Sequence, residues 1–515
     1  MESADGKPNE FSKQSGALFW IMHLIAMVPI LIVKNLPFSD YSDHLSRIAI
    51  LLRDRQSPLF PSMYHTNFYF RPYLGFDVPA WLLAHVLSFD LTGKVFYLLA
   101  LTLWNFGLFR LAKSRGGSGI AGCLPVLLTY NMVTIQGFLP YLAGMALVPW
   151  YLIAFSKKGP LVKSLPFLIL FPLLIFASHQ LALLLFIMGA FCFLFDSEGT
   201  KQSRRAQGIQ IGLLLVLNLV YFKLAKFGGT SQSIEFGGIE AKAHNLSEAF
   251  LTGSLRLDYL FVGLVSIVVV ALLVRKTFAL NRLAIALLVI PFLAFAVAPI
   301  KLGLAENFDY RFVLFGLSLA FAVLTPQIKS KKDFSLVAAA LVTLALFRSG
   351  YVGKGFLVAN ERLEEARIAM KNLPGTPALI VSTIGEHSQW QPSQWKPMPY
   401  SVANFAPIDR TAYVNTIFQE PSMMTITFGD IGRAFDYVGR HDGRATPEGI
   451  WSLLNDAGTR VQQVFRQEHP PVQFYAIIVS SDLEPLPKID DPTYREVVHG
   501  SYFSIYELPT QVMRF

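Results

Sequence analysis

The chain has 515 residues, of which 53% are hydrophobic and only 15% are charged. Soluble proteins carry about 25% charged residues, so most of this chain must have lipid as its solvent. The formal net charge of +9 does not indicate a nucleic-acid partner, because no basic run is interleaved with aromatic residues in a soluble segment. Cys123 and Cys192 both lie in apolar runs, which excludes a disulfide framework.

The apolar stretches predict about eleven transmembrane helices, since a spanning helix needs about 20 apolar residues. The first stretch lacks a small-residue cleavage site, so we expect it to remain as a helix rather than to be removed as a signal peptide. The predicted spans are 17–34, 92–112, 118–134, 139–156, 164–178, 180–195, 207–225, 257–274, 283–300, 311–327 and 334–350. The two spans around His179 are either separate or one bent unit.

Basic residues recur in every second predicted loop, in clusters at 110–115, 157–163, 201–205, 275–282 and 329–332. The positive-inside rule places these loops and the N-terminus in the cytoplasm, and the intervening loops outside. We therefore expect a multi-pass protein of the bacterial inner membrane with a long first outer loop, 35–91. The expected domains are a transmembrane domain, 1–350, and a periplasmic α/β domain, 351–515.

The first outer loop begins with an acidic motif. Ser39 is a helix-capping residue, and Asp40, Asp43, His44 and Arg47 follow it at i, i+3, i+4, i+7 spacing, so they share one face of a predicted amphipathic helix on the membrane surface. This face is either solvated, with local ion pairs, or catalytic. Two acids and a histidine in one quadrant favour a catalytic site, and Asp40 and Asp43 are the ligands available to a divalent cation such as Mg or Mn.

Two outer turns carry further polar residues. Gln136 and Tyr141 flank Gly137 and Pro140, a pattern typical of a broken helix end, which is either ordinary turn chemistry or part of a cavity lining. His179 lies between two apolar runs with almost no loop, where a titratable group is costly unless it is paired or functional. We therefore predict that Gln136, Tyr141 and His179 contribute to substrate binding.

A third polar cluster precedes the tenth predicted span and contains Glu306, Asp309 and Arg311. Arg311 lies at headgroup depth on the outer side, where it either extends toward lipid phosphates in general or binds the phosphate of a lipid-linked substrate. These three residues, and Arg47 of the first outer loop, are predicted to bind substrate.

After residue 350 the composition becomes that of a soluble α/β domain. Ala378–Thr383 and Tyr475–Ser480 are typical of buried strands, and 496–507 is typical of a hairpin that turns at Gly500. Trp390 and Trp395 lie between the two buried strands and either dock a glycan or pack on other parts of the chain.

These parts together resemble the GT-C superfamily of membrane glycosyltransferases, which use polyprenyl-phosphate-linked sugars. The resemblance rests on the long first outer loop with its acidic stretch from Asp40 to Arg47, the many spans and the outer C-terminal α/β domain. It implies that an acidic residue of the first loop, Asp40 or Asp43, is the catalytic base or a metal ligand, with His44 in support. It also implies that Arg311 holds the donor phosphate.

The predicted function is transfer of a sugar from a polyprenyl-phosphate donor to a lipid, glycan or protein acceptor. Two alternatives remain, a transporter or flippase of lipid-linked glycans and a non-catalytic partner in envelope polysaccharide assembly. A nucleotide-driven transporter is disfavoured because the phosphate-binding glycine-loop motif is absent.

Overall fold

The structure is a computed structural model. It describes residues 11–53, 63–66, 70–115, 119–156, 165–196, 201–224, 234–302, 305–306, 308–328, 330–384, 399–416, 426–428, 446–465, 472–480 and 484–509.

Most of the described chain is α-helical. The α-helices are α1 (Ser12–Ile32), α2 (Ser39–Arg53), α3 (Leu74–Leu83), α4 (Phe89–Ser114), α5 (Met132–Gln136), α6 (Leu139–Ser156), α7 (Leu165–Ser178), α8 (Gln180–Cys192), α9 (Lys201–Leu224), α10 (Ile239–Glu248), α11 (Leu255–Val274), α12 (Arg282–Val297), α13 (Tyr310–Ala322), α14 (Lys331–Lys371), α15 (Ala406–Asp409) and α16 (Pro447–Phe465).

Five of the described helices, α1, α4, α6, α11 and α14, are long and apolar enough to cross a membrane. Others that were predicted to span are shorter: α8 and α13 have 13 residues each, which at 1.5 Å per residue is about 20 Å. A single straight helix of that length does not cross a hydrocarbon core of about 30 Å. The described helices confirm a polytopic α-helical membrane protein, and the number of eleven spans stays a prediction.

The prediction of one spanning α-helix at 118–134 is wrong. Residues Ile120–Leu128 form a buried 3-10 helix that contains Pro125, which has no backbone N–H to donate. Asn131 then starts a new helix, α5, by a reciprocal capping interaction with Thr134. Gly137 ends this helix with a φ of 77°, a conformation that favours glycine, as its position in the sequence suggested.

The break between α7 and α8 is a single residue. His179 is extended, with φ −164° and ψ 128°, and caps the N-terminus of α8. Both helices pack on each other and on α6, so they are separate helices rather than one bent unit.

The strands are short in the membrane region and longer near the C-terminus. They are β1 (Tyr64–Thr66), β2 (Ile234–Glu235), β3 (Phe278–Ala279), β4 (Lys301–Leu302), β5 (Ala305–Glu306), β6 (Thr325–Pro326), β7 (Pro377–Ile384), β8 (Tyr413–Val414), β9 (Ile426–Phe428), β10 (Gln473–Ser480), β11 (Arg495–His499) and β12 (Phe503–Glu507).

The main sheet has the order β11-β12-β10-β7-β8. β10, β7 and the edge strand β8 are parallel, and both β7 and β10 are almost fully buried, which is why they appear as continuous apolar runs in the sequence. Helix α16 packs on β7 and β10. The predicted hairpin at Gly500 is β11 and β12, which pair antiparallel. The predicted C-terminal α/β fold is confirmed.

The chain divides into two compact units. The first unit is Met1–Ile32, Phe70–Phe76 and Val95–Lys354, and the second unit is Val33–Tyr69, Asp77–Lys94 and Gly355–Phe515. The division after Lys354 falls inside the continuous helix α14, four residues beyond the position where composition changes. Most of the first predicted outer loop groups with the C-terminal residues, because α2 and β1 pack on segments after residue 398.

Candidate functional site

The acidic motif of the second unit lies on α2, which starts at Ser39 as its capping character suggested. The alternative of a solvated polar face is wrong, however. Asp43, His44 and Arg47 are buried, with 5%, 3% and 0% of their surfaces exposed. Apolar residues of the opposite face are buried as well, so α2 is a buried helix rather than the predicted amphipathic helix on the membrane surface.

The polar side chains of α2 form hydrogen bonds with residues far along the chain. Asn404 donates a hydrogen bond from Nδ2 to Oδ1 of Asp43 over 2.7 Å. The hydroxyl of Ser42 donates to the carbonyl of Ser401 over 2.9 Å, and that of Ser46 donates to the carbonyl of Asn404. These bonds offset the cost of burying a polar helix face, and they were invisible in the local pattern.

Arg47 pairs with Asp77 at 3.0 Å between Nη2 and Oδ1, and both side chains are fully buried. Its ion pair is therefore formed with a residue 30 positions away rather than with Asp43 as a local i,i+4 partner. A buried pair of this kind is costly to break, since the remaining charge would be uncompensated. Arg47 thus holds the helix in place in addition to any contact with substrate.

Asp40 differs from the other members of the motif because it is only half-buried. It lies in the first turn of α2, and its Oδ1 accepts a hydrogen bond from the hydroxyl of Ser39 over 3.1 Å. Among the described residues, no group of three or more His, Cys, Asp or Glu side chains is arranged to hold a metal ion. We derive no step through a divalent cation.

The basic residue singled out by the sequence, Arg311, lies in the first unit, in the first turn of α13. It is 4% exposed, and its guanidinium lies 4.3 Å from the ring centroid of Phe138 and 5.3 Å from that of Tyr141. None of the described residues accepts a hydrogen bond from it or supplies a carboxylate, and its Nε is buried. A cation at a helix N-terminus is also opposed by the helix dipole.

The acid nearest to Arg311 in sequence, Asp309, has other partners. Its carboxylate accepts hydrogen bonds from Lys242 Nζ (2.8 Å), Asn245 Nδ2 (3.0 Å) and the backbone N–H of Tyr310 (2.9 Å). It therefore caps α13 and neutralises Lys242 rather than Arg311. Asp309 therefore supports the structure next to the candidate site.

Other residues predicted to bind substrate surround the start of α13. Gln136 accepts a hydrogen bond at Oε1 from the hydroxyl of Tyr310 over 2.7 Å. The ring of His179 packs edge-on against Tyr141 at 5.4 Å, and its Nδ1 accepts a hydrogen bond from the backbone N–H of Leu181 over 3.1 Å. Because Nδ1 is an acceptor, the imidazole is neutral and adds no positive charge.

A narrow pocket of about 50 Å³ lies on the face of α13 that carries Arg311. Tyr141, Leu314, Phe315 and Ser318 are among its lining residues. The pocket has room for a methyl-sized group rather than for a whole lipid chain.

The structure therefore brings together Gln136, Tyr141, His179, Asp309 and Arg311 within the first unit, as the sequence suggested. The backbone of Glu306 forms β5, and its side chain lies outside the described residues, as do Trp390 and Trp395. Sequence reasoning missed Asn404, Asp77 and Lys242. Nothing in the local pattern of these three residues marks them, because each acquires its role from a distant partner.

No family profile and no curated protein matches this sequence. Among solved structures, the chain is similar to the one titled "Crystal Structure of ArnT from Cupriavidus metallidurans in the apo state". The identity is 9% and the TM-score is 0.47, with 96% of this chain and 99% of that chain covered. This likeness is one of fold alone, and the functional argument below is built on the residues of this chain.

Proposed function

We propose that the protein is a membrane glycosyltransferase that takes a sugar from a polyprenyl-phosphate donor and transfers it to a lipid, glycan or protein acceptor. The observation that carries the proposal is Arg311. It is a buried guanidinium held over two aromatic rings, and among the described residues it has no carboxylate partner. Burying an uncompensated charge is expensive, so such a group is maintained where an anionic ligand completes it.

A phosphate suits this position better than a carboxylate would. It presents several oxygens to the planar guanidinium. The aromatic rings beneath Arg311 fix its plane and shield it from water, which strengthens its attraction for a charged ligand.

The reaction requires a base and a stabilised leaving group. In the proposed step the acceptor hydroxyl oxygen forms a bond to the anomeric carbon of the sugar while the bond from that carbon to the phosphate oxygen breaks. The hydroxyl proton passes to a carboxylate, and the polyprenyl phosphate leaves with the electron pair. Arg311 would stabilise the charge that develops on the phosphate.

Asp40 is proposed as the carboxylate that accepts the proton. It is the half-buried acid of α2, so an acceptor hydroxyl can reach it, whereas Asp43 is buried and hydrogen-bonded to Asn404. Asp43 and His44 would support it from the same helix. We further propose that Gln136, His179 and Asp309 hold the Arg311 region in shape, with Tyr141 as the surface on which the guanidinium lies.

The test of this function is transfer itself. The purified protein in lipid nanodiscs is incubated with a panel of undecaprenyl-phosphate sugars and an envelope extract as acceptor, and released undecaprenyl phosphate is quantified by mass spectrometry. Asp40→Asn cannot accept the proton, so we expect kcat to fall about 10²–10⁴-fold while undecaprenyl phosphate still binds. If Asp40→Asn has the same kcat as the wild type, Asp40 is not the base. If the protein moves intact donors across vesicle membranes without transferring the sugar, the transporter alternative is favoured.

The location of the reaction is a separate proposal. We propose, from the distribution of basic loops, that the C-terminal domain lies outside the cytoplasm of a bacterial inner membrane. A reporter fused after Phe515 should then be active only outside, and one inserted at Ser203 only inside. The opposite pattern would move the proposed transfer to the cytoplasmic face.

A further inference from the structure

We infer that Asn404, a residue of the C-terminal region, is the positioning residue for the carboxylate of Asp43. The inference rests on the proposed function, because it assigns a role within the acidic site of α2. It also gives the C-terminal domain a part in that site, which no motif in its sequence suggests.

Asn404 is fully buried and has a partner at each of its polar groups. Its Nδ2 donates to Oδ1 of Asp43 over 2.7 Å, and its Oδ1 accepts from the hydroxyl of Thr416 over 2.7 Å. Its backbone carbonyl accepts from the hydroxyl of Ser46, one turn after Asp43 on α2. The side-chain amide is thus held by two hydrogen bonds, and the backbone of the same residue by a third.

The carboxylate of Asp43 defines which way the amide of Asn404 faces. An amide oxygen only accepts and an amide nitrogen only donates, and Asp43 as a carboxylate only accepts. The nitrogen must therefore face Asp43, since the opposite orientation would place two acceptors against each other, and the hydroxyl of Thr416 donates to the amide oxygen. Thr416 follows β8, so this bond connects the acidic helix to the carboxyl end of a parallel strand, where α/β folds commonly place functional groups.

The C-terminal segment also holds the backbone register of α2. Ser42 donates to the carbonyl of Ser401, and Arg53, at the end of the helix, donates to the carbonyls of Pro407 and Ile408. Hydrogen bonds to residues 401–408 therefore hold α2 along its whole length. A movement of that segment would carry the carboxylates with it, and Asn404 is the member of the segment that bonds to an acid of the motif directly.

The consequence for Asp43 is a fixed side chain. A charge-assisted hydrogen bond to one carboxylate oxygen holds the group in a single rotamer. Without Asn404, the buried carboxylate would lose a donor and adopt other rotamers. In an active site, displacement of about 1 Å can cost 10²-fold in rate, so the effect should appear in kcat rather than in donor affinity.

The experiment compares Asn404→Ala with Asn415→Ala in the transfer assay, using the undecaprenyl-phosphate sugar that the wild type turns over fastest. Asn415 is a matched control, since it is a buried asparagine of the same domain whose Oδ1 accepts from the backbone N–H of Val381 over 2.8 Å. Asn404→Ala should lower kcat about 10- to 100-fold with an unchanged half-saturating donor concentration, since bonds to charged groups are the stronger ones. Asn415→Ala should lower the melting temperature and leave kcat near the wild-type value.

A double-mutant cycle separates positioning from general damage. If Asn404 acts through Asp43, Asn404→Ala should cause no further loss of kcat in an Asp43→Asn background. Should Asn404→Ala fail to fold, Asn404→Leu keeps the shape and volume of the side chain but cannot donate to the carboxylate, so the same loss is expected. The inference is overturned if the losses of kcat caused by Asn404→Ala and Asp43→Asn are additive. It is also overturned if substitution of Asn404 changes kcat no more than Asn415→Ala does. Wild-type kcat in Asp43→Asn itself would instead overturn the role of Asp43 in the proposed function.

Discussion

Two buried arginines of the first unit, Arg348 and Arg311, are 3% and 4% exposed and lie in very different surroundings. Both lie over aromatic rings, with Arg348 placed 4.6 Å from Phe261. Arg348 also donates to Asp258, to the carbonyl of Tyr130 over 2.6 Å and to the carbonyl of Phe250 over 2.8 Å. For Arg311, none of the described residues is a carboxylate partner or a hydrogen-bond acceptor of this kind.

We propose that the difference separates a structural arginine from a ligand-binding one. Around Arg348, the carboxylate of Asp258 also caps the turn at Thr252, Gly253 and Ser254, so the charge of Arg348 is paired within its own cluster, although its Nε has no partner among the described residues. Around Arg311, the nearest acid in the sequence, Asp309, is bonded to Lys242. Aromatic surface alone does not compensate a buried charge fully, and under the proposed function the phosphate of the donor supplies the rest.

The largest expected effect comes from breaking the satisfied cluster. Asp258→Ala leaves Arg348 buried without its counter-ion, which should cost about 3–5 kcal/mol of stability. The measurement is thermal unfolding of the detergent-purified protein. The double variant Asp258→Leu with Arg348→Met should be more stable than Asp258→Ala, and equal unfolding temperatures for Asp258→Ala and wild type would show that Arg348 does not depend on its partner.

A smaller effect is expected at Asp309, which the sequence alone presented as a substrate ligand. Asp309→Asn keeps an acceptor for the backbone of Tyr310 but removes the negative charge opposite Lys242, so stability should fall by about 1–3 kcal/mol. Lys242→Met is the matched variant and should make the Asp309 substitution less harmful. Loss of undecaprenyl phosphate binding with unchanged stability in Asp309→Asn would make Asp309 a ligand rather than a supporting residue.

The smallest effect on stability is expected at Arg311. Arg311→Met removes a buried charge that pairs with no carboxylate among the described residues, so the free energy of unfolding without ligand should change by less than about 1 kcal/mol or rise slightly. Destabilisation as large as that of Asp258→Ala would show that Arg311 is structural and that the comparison with Arg348 does not hold.

Local chemistry allowed part of this arrangement to be predicted. Ser39 starts α2, Gly137 ends α5, and the apolar runs at β7 and β10 are parallel strands, because capping, positive φ and burial on both faces leave marks within a few residues. The placement of Arg311 at the start of α13 also follows from its position just before an apolar run.

What the sequence did not reveal depends on distant partners. The polar face of α2 has the period expected of a surface helix, and partners far away in the chain, among them Asn404 and Asp77, offset the cost of burying it. The 3-10 helix at Ile120–Leu128 is as hydrophobic as a transmembrane span, and hydropathy does not distinguish a 3-10 helix from an α-helix. The pairing of Asp309 with Lys242 instead of Arg311 likewise cannot be deduced from spacing, although it decides which charge remains for a ligand.

The most direct test of the central claim is the affinity of the protein for undecaprenyl phosphate, measured by native mass spectrometry in wild type, Arg311→Lys and Arg311→Ala. Losing a charge-assisted pair should weaken binding about 10- to 100-fold in Arg311→Ala, since such bonds contribute about 1.5–3 kcal/mol. Arg311→Lys should lie between the two, because it keeps the charge and loses the planar fork. Equal dissociation constants for wild type and Arg311→Ala would contradict the assignment of Arg311 as the residue that binds the donor phosphate.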